Sequence, residues 1–243
     1  MKTLLTAAVA LIAAAAPAHA VLQISANLNG FILTCADGQA CDTNSTPGQL
    51  AIANQTQNGV EILGSAQTQT TGVSNFLNTS SFQLINHNPA PATVTVAVSG
   101  TDFPGPVSVF NASGSGTWQN ANGSTIDLAW FADTANAQGA DTPTDLPGAQ
   151  LFATSDAAVG TADSFAISQG GAFVDPDLYS MSLGTSGTLV AWNGVVGSEP
   201  TLVGRSQTIV TTQAVPVSEP GSLALLGGAL LGLGLVARRR RPV

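Results

Sequence analysis

The sequence predicts an all-β protein: a single β-sandwich ectodomain, immunoglobulin-like or jelly-roll, followed by one short C-terminal transmembrane helix. Three observations lead there. Short apolar segments alternate with period two, as half-buried strands do. Gly, Pro, Asn and Asp punctuate them, and between residues 21 and 212 no i, i+3, i+4, i+7 apolar pattern lasts long enough for a helix. Both ends of the 243-residue chain depart from this texture, each being an apolar run beside positive charge.

From the N-terminus, residues 1–20 read as a secretory signal peptide. Lys2 supplies the positive start and residues 4–16 the apolar stretch. Pro17 ends the helix ahead of Ala18 and Ala20, the small residues a signal peptidase needs. The mature chain is expected to begin at Val21, with the sandwich over residues 21–210. Cys35 and Cys41 are the only cysteines. In an exported chain so close a pair is expected to form a disulfide, with Gly38 easing the short loop between them. Two thiols with no nearby histidine fall short of a zinc set.

Residues 93–99 set Val94, Val96 and Val98 against small or polar partners, the mark of a half-buried strand. Asn122 and Gly123 form a hairpin signal, after which Ile126, Leu128 and Trp130 face one way and Asp127 and Ala129 the other. Further short strands are expected at 82–86, 106–110, 163–167, 178–183 and 188–192. Residues 211–217 read as a tether, extended near Pro216.

Residues 221–237 carry no charge. As a helix they would span about 25 Å, the short edge of a membrane crossing. Their glycines are better tolerated in lipid than in water. Arg238, Arg239, Arg240 and Arg241 resist translocation, which keeps this end cytoplasmic and the sandwich outside. The leader demands the same orientation.

Charged residues make up only 8% of the chain. Between residues 21 and 217, thirteen carboxylates face one arginine, Arg205, a net charge of about −12. Such a domain repels phosphate backbones, so no nucleic-acid partner is expected. Gripping an acidic ligand is expected to need a bridging cation.

The order Ser218, Glu219, Pro220, Gly221, then a short Leu/Ala/Gly span, then the arginines, resembles a PEP-CTERM sorting segment, here residues 218–243. The motif's first proline is Ser218 in this chain, with Pro216 two residues earlier. The resemblance implies an exported protein of an exopolysaccharide-making Gram-negative bacterium. Its tail would be recognised by exosortase, a membrane-embedded cysteine transpeptidase-like enzyme. The chain would be anchored transiently in the inner membrane with its ectodomain periplasmic, then passed to the cell surface or extracellular matrix. The stretches CADGQACDTN, SGTWQNANGS and SMSL…GRSQT also resemble the middle regions of such proteins, a similarity that implies no activity.

Catalytic signals are sparse. His87 is the one histidine after residue 20, and no G-x-S-x-G elbow accompanies it. No phosphate-binding loop or dinucleotide fingerprint occurs. The aspartates fall mostly in Gly/Pro/Asn-rich loops, where they act as turn formers. Calcium is the ligand these loops suit best, because it takes several carboxylate and carbonyl oxygens. The candidates are Asp133, Asp141 and Asp145, with Asp37 and Asp42, and Asp175 and Asp177, as further groups. Trp118, Trp130 and Trp192 are candidate stacking platforms for a sugar. Trp130 reads as core, and Trp118 as the tryptophan least assured of burial.

These readings converge on a non-enzymatic, exosortase-sorted envelope or matrix protein with a structural or adhesive role in exopolysaccharide biofilm. A calcium-assisted carbohydrate-binding module is the alternative. An Asp-dependent hydrolase is the third reading.

Overall fold

The computed structural model describes residues 21–140 and 146–212. The leader, Asp141, Asp145, residues 213–217 of the tether, and the sorting segment with Ser218, Glu219, Pro220, Gly221 and the four terminal arginines lie outside them. Among the described residues no helix is long and apolar enough to cross a membrane; segment 221–237 is not among them.

The described residues form twelve strands: β1 (Leu22–Leu28), β2 (Phe31–Ala36), β3 (Gln49–Gln57), β4 (Val60–Thr70), β5 (Ser74–Asn86), β6 (Ala92–Phe103), β7 (Val107–Gln119), β8 (Thr125–Asp133), β9 (Ala149–Ala157), β10 (Ala162–Asp175), β11 (Tyr179–Leu189) and β12 (Thr201–Thr211). They pair antiparallel into two six-stranded sheets. The first runs β2-β1-β6-β11-β8-β9 and the second β10-β7-β12-β5-β4-β3. The chain is therefore a two-sheet β-sandwich.

Alternation explains the core. Leu22, Ile24, Ala26 and Leu28 on β1, Val94, Val96 and Val98 on β6, and Ile126, Leu128 and Trp130 on β8 all point inward. From the other sheet Leu50, Ile62, Leu77, Leu84 and Trp118 meet them. Asp127 and Ala129 face outward, as the alternation requires.

Three expectations need correction. Asn122 and Gly123 do not close a hairpin. Ser124 N–H donates to Ala121 O at 2.7 Å, and Gly123 has φ +87° while Asn122 stays out of the left-handed region. That is the type II pattern, which splays its flanking strands. β7 and β8 accordingly lie in different sheets. Two other Asn-Gly pairs, Asn29-Gly30 and Asn58-Gly59, have both residues at positive φ and close the two-residue β1–β2 and β3–β4 hairpins. Second, the strands expected at 178–183 and 188–192 are one strand, β11, continuing through Gly184 and Gly187 and ending at Leu189. Third, the ordered domain runs past residue 210, because Thr211 still pairs with Ser74 and Val109 as the last residue of β12.

The outer faces of the two sheets differ. On the first, the segment after β8 folds back over β6 and β11. Gly139 N–H donates to Ser99 Oγ at 2.9 Å, Ser182 Oγ donates to the same oxygen, and Asn136 and Asp102 bond reciprocally. Ala97, Ser99 and Ser182 are buried as a result. The outer face of the second sheet remains open.

Candidate functional site

The open face is built by β4, β5, β12, β7 and β10 in register. Its side chains form cross-strand rows: Leu63, Gln83, Val203, Thr117 and Ser164 in one, and Gln67, Asn78, Gln207, Ser113 and Ser168 in another. Between them lies Ser65 with Ser80, then Arg205, Ser115 and Ala166. Amides and hydroxyls dominate, and the central strands β5, β7 and β12 contain no carboxylate.

A bulge at the centre of β5 shapes this surface. β4 pairs Ser65 with Ser81 and Ala66 with Thr79, leaving Ser80 as an extra residue. The same irregularity falls between Gly204 and Ser206 on β12. A bulge re-aims side chains and increases local twist. Thr79 replaces the interrupted ladder: its Oγ1 accepts from Ser206 N–H at 2.7 Å and lies 3.3 Å from Ser206 O. Beside the bulge lies a shallow groove of about 400 Å³, lined by Asn78, Ser80, Ser113, Ser115, Arg205 and Gln207 among others. A second depression of about 360 Å³ continues past Arg205 along Ser115, Thr117 and Ser164.

Arg205 thus stands between two connected hollows. It is exposed, it is the sole Lys or Arg among the described residues, and its Nε donates to Ser115 Oγ at 3.2 Å. Among the described residues it forms no ion pair; the single pair there is His87 with Glu61. The arrangement presents a row of neutral donors and acceptors around one fixed cation. A depression on the outer face of the other sheet, about 560 Å³, is lined by Asp127, Phe131 and Leu146 and holds no cation.

Those candidates that fall among the described residues are dispersed by the fold. Cys35 and Cys41 form the expected disulfide, with Cα atoms 5.9 Å apart. Asp42 accepts from the N–H groups of Gly38, Asn44 and Ala51. Burial works to raise its carboxyl pKa, but these three donors together outweigh it and hold the group below the ordinary aspartate value. Asp37 accepts from Gly48 N–H at 2.6 Å, and Asp133 from the N–H groups of Ala135 and Ala137. Asp175 Oδ1 accepts from Asp177 N–H at 2.9 Å. These carboxylates organise turns, and among the described residues no three His, Cys, Asp or Glu side chains are grouped to hold a metal.

His87 Nε2 lies 2.9 Å from Glu61 Oε2, and the Trp192 ring meets the His87 ring edge-on at 6.2 Å. Asn54 Nδ2 donates to the other Glu61 oxygen at 2.6 Å, so this carboxylate is engaged on both sides.

Two tryptophans are core. Trp130 is fully buried and stacks on Phe152 with ring centroids 5.2 Å apart. Trp118 is also fully buried, with Nε1 donating to Asp156 Oδ2 at 2.7 Å across the two sheets. As a stacking platform Trp118 is therefore ruled out: its ring faces the interior because residue 118 falls on the inward register of β7. Trp192 is half-buried, its Nε1 donating to Val195 O.

In the sequence Arg205 is legible as the lone cation between residues 21 and 217, but not as part of this surface. The available signal was the absence of carboxylates from the segments that become β5, β7 and β12.

No protein-family model and no curated protein sequence matches this chain. Solved structures with some likeness include TmCBM61 in complex with β-1,4-galactotriose, at TM-score 0.34 and 7% identity over 68% of this chain and 88% of that one. Another is the enzymatically active domain of bacteriophage CBA120 tailspike protein 4, at 0.24 and 14% identity over 63% of this chain and 19% of that one. A third is infectious bursal disease virus Gt strain, at 0.26 and 10% identity over 81% of this chain and 57% of that one. All three scores fall below 0.5, and none bears on what this chain binds.

Proposed function

We propose that this is an exported, non-enzymatic polysaccharide-binding protein of the cell envelope or extracellular matrix. It would be sorted by exosortase through residues 218–243, and its sandwich would adhere to exopolysaccharide through the outer face of the second sheet. The observation that carries the binding reading is the run of Gln, Asn, Ser and Thr across five paired strands. Polyols are recognised by such mixed donors and acceptors, and a sheet holds them at fixed spacing without loop ordering. The disulfide agrees with an oxidising compartment outside the cytoplasm. The strand order supports a jelly-roll reading: β5 to β12 pair as β5-β12-β7-β10 and β6-β11-β8-β9, with β1-β2 and β3-β4 added beside them.

Affinity electrophoresis of the full chain through gels containing neutral or acidic polysaccharides tests the binding. Retardation by at least one polymer, weakened when Gln67, Asn78 and Gln207 are changed together to Ala, is expected. Unretarded migration in every gel refutes it. Intact mass of the cell-associated and released protein, with and without exosortase, tests the sorting. A tail lost near residues 218–221 only when exosortase is present supports it; retention of Arg238 to Arg241 in both refutes it.

A further inference from the structure

The groove around Arg205 has a feature that a neutral glycan does not require. A domain with a net charge of about −12 places its one described Lys or Arg at the centre of its open polar face, on strands free of carboxylates. The Nε–H is held by Ser115 Oγ, which fixes one edge of the guanidinium. No hydrogen bond joins its Nη groups to the protein among the described residues, and Arg205 lines the hollows on either side. A surface arginine in a domain so rich in aspartate would ordinarily pair with one of them. The β5 bulge and the small residues Ser80, Ser113 and Ser115 instead leave room beside it.

Resting on the polysaccharide reading above, we infer that Arg205 is the specificity residue of this face and that its ligand is a carboxylate-bearing polysaccharide of the uronate kind. A guanidinium fork matches a carboxylate with two parallel N–H···O bonds, which an ammonium does not reproduce. The flanking serines, Asn78 and Gln207 are positioned for the sugar hydroxyls next to that carboxylate. Repulsion from carboxylates farther than about 8 Å is screened at physiological salt, whereas a contact at Arg205 is not. A densely sulfated chain carries more charge per sugar than a polyuronate and so meets more of this repulsion, with the same single cation to offset it. No bridging calcium is needed, which departs from the expectation drawn from charge alone.

The test is affinity electrophoresis and calorimetry of the purified full chain in chelator, against polygalacturonate, neutral dextran and dextran sulfate. Binding to polygalacturonate is expected to exceed that to the other two by at least tenfold. Arg205→Gln is expected to weaken it by about tenfold to a hundredfold, the usual worth of a hydrogen bond to a charged partner. Arg205→Lys should recover only part of the loss, because the charge returns without the fork. Asp127→Asn, on the outer face of the other sheet, should leave binding nearly unchanged and controls for net charge. Arg205 is exposed, so all variants should melt like the parent. Equal binding to dextran and polygalacturonate, unaffected by Arg205→Gln, overturns the inference while leaving polysaccharide binding standing. So does tightest binding to dextran sulfate. Binding to no polymer overturns both.

Discussion

The Trp118–Asp156 hydrogen bond ties β7 in one sheet to β9 in the other, and its removal has a calculable cost. Trp118→Phe keeps an aromatic ring in the core but deletes the N–H that Asp156 accepts at 2.7 Å. A hydrogen bond to a charged acceptor is worth about 1.5–3 kcal/mol. The smaller ring leaves a void of roughly 40 Å³, adding about 1 kcal/mol. The sum is roughly 3 kcal/mol, or a fall in Tm of about 6–12 °C for a domain of this size. Asp156→Ala strands a buried indole N–H, at about 1–3 kcal/mol. Urea unfolding of both single variants and the double variant, followed by circular dichroism, closes the cycle. The expected coupling is about 1.5 kcal/mol. A coupling below about 0.5 kcal/mol would refute the bridge. Polysaccharide binding should survive Trp118→Phe; its loss in a fully stable variant would return Trp118 to the role of an exposed platform.

Replacing Cys35 and Cys41 together by Ser should cost about 2 kcal/mol by the loop-closure account, read as a matching loss of parent stability under reductant. Thr79→Val should leave the Ser206 N–H buried without its acceptor and destabilise by about 1–3 kcal/mol, measured by chemical denaturation. Tyr179 is the single tyrosine. Burial above all, and then the Asp175 charge, raise its phenol far above the ordinary value despite an opposing hydrogen bond from Asn75. The folded state therefore holds this proton more tightly than the unfolded state. Its contribution to stability is complete below about pH 10 and declines as pH rises further. The tyrosinate absorbance band should appear together with unfolding; free titration near pH 10 in a folded sample would contradict the burial.

Alternation on β6 and β8 was readable because Val94, Val96 and Val98, and Ile126, Leu128 and Trp130, each commit one face to the core. β5, β7 and β12 were harder, since Ser, Thr, Asn and Gln occupy both faces and Thr208 and Ser206 even point inward. β11 was read as two strands because Gly184 and Gly187 interrupt the apolar pattern without interrupting the ladder. The Asn-Gly pairs show the limit of a dipeptide signal. Four occur, at Asn29, Asn58, Asn122 and Asn193; only the first two asparagines take positive φ and close hairpins, a choice made by the strands on either side. The surroundings of Arg205 are hidden for a related reason: Ser115 lies 90 positions away, and only the β7–β12 pairing unites them.

The position of β12 governs when this molecule becomes complete. It is the last strand among the described residues, yet it sits in the middle of its sheet, between β5 and β7. A chain emerging from its N-terminus can assemble β3-β4-β5 by adjacent hairpins, but those strands and the β7–β10 pair remain separate until residues 201–211 arrive. Such late, long-range pairing is slow, because loop closure must precede the contacts that reward it. Until residues 201–211 are in place, the second sheet stays in two parts, β3-β4-β5 and β7-β10. The surface bearing Arg205 comes into being only when β12 seats between β5 and β7.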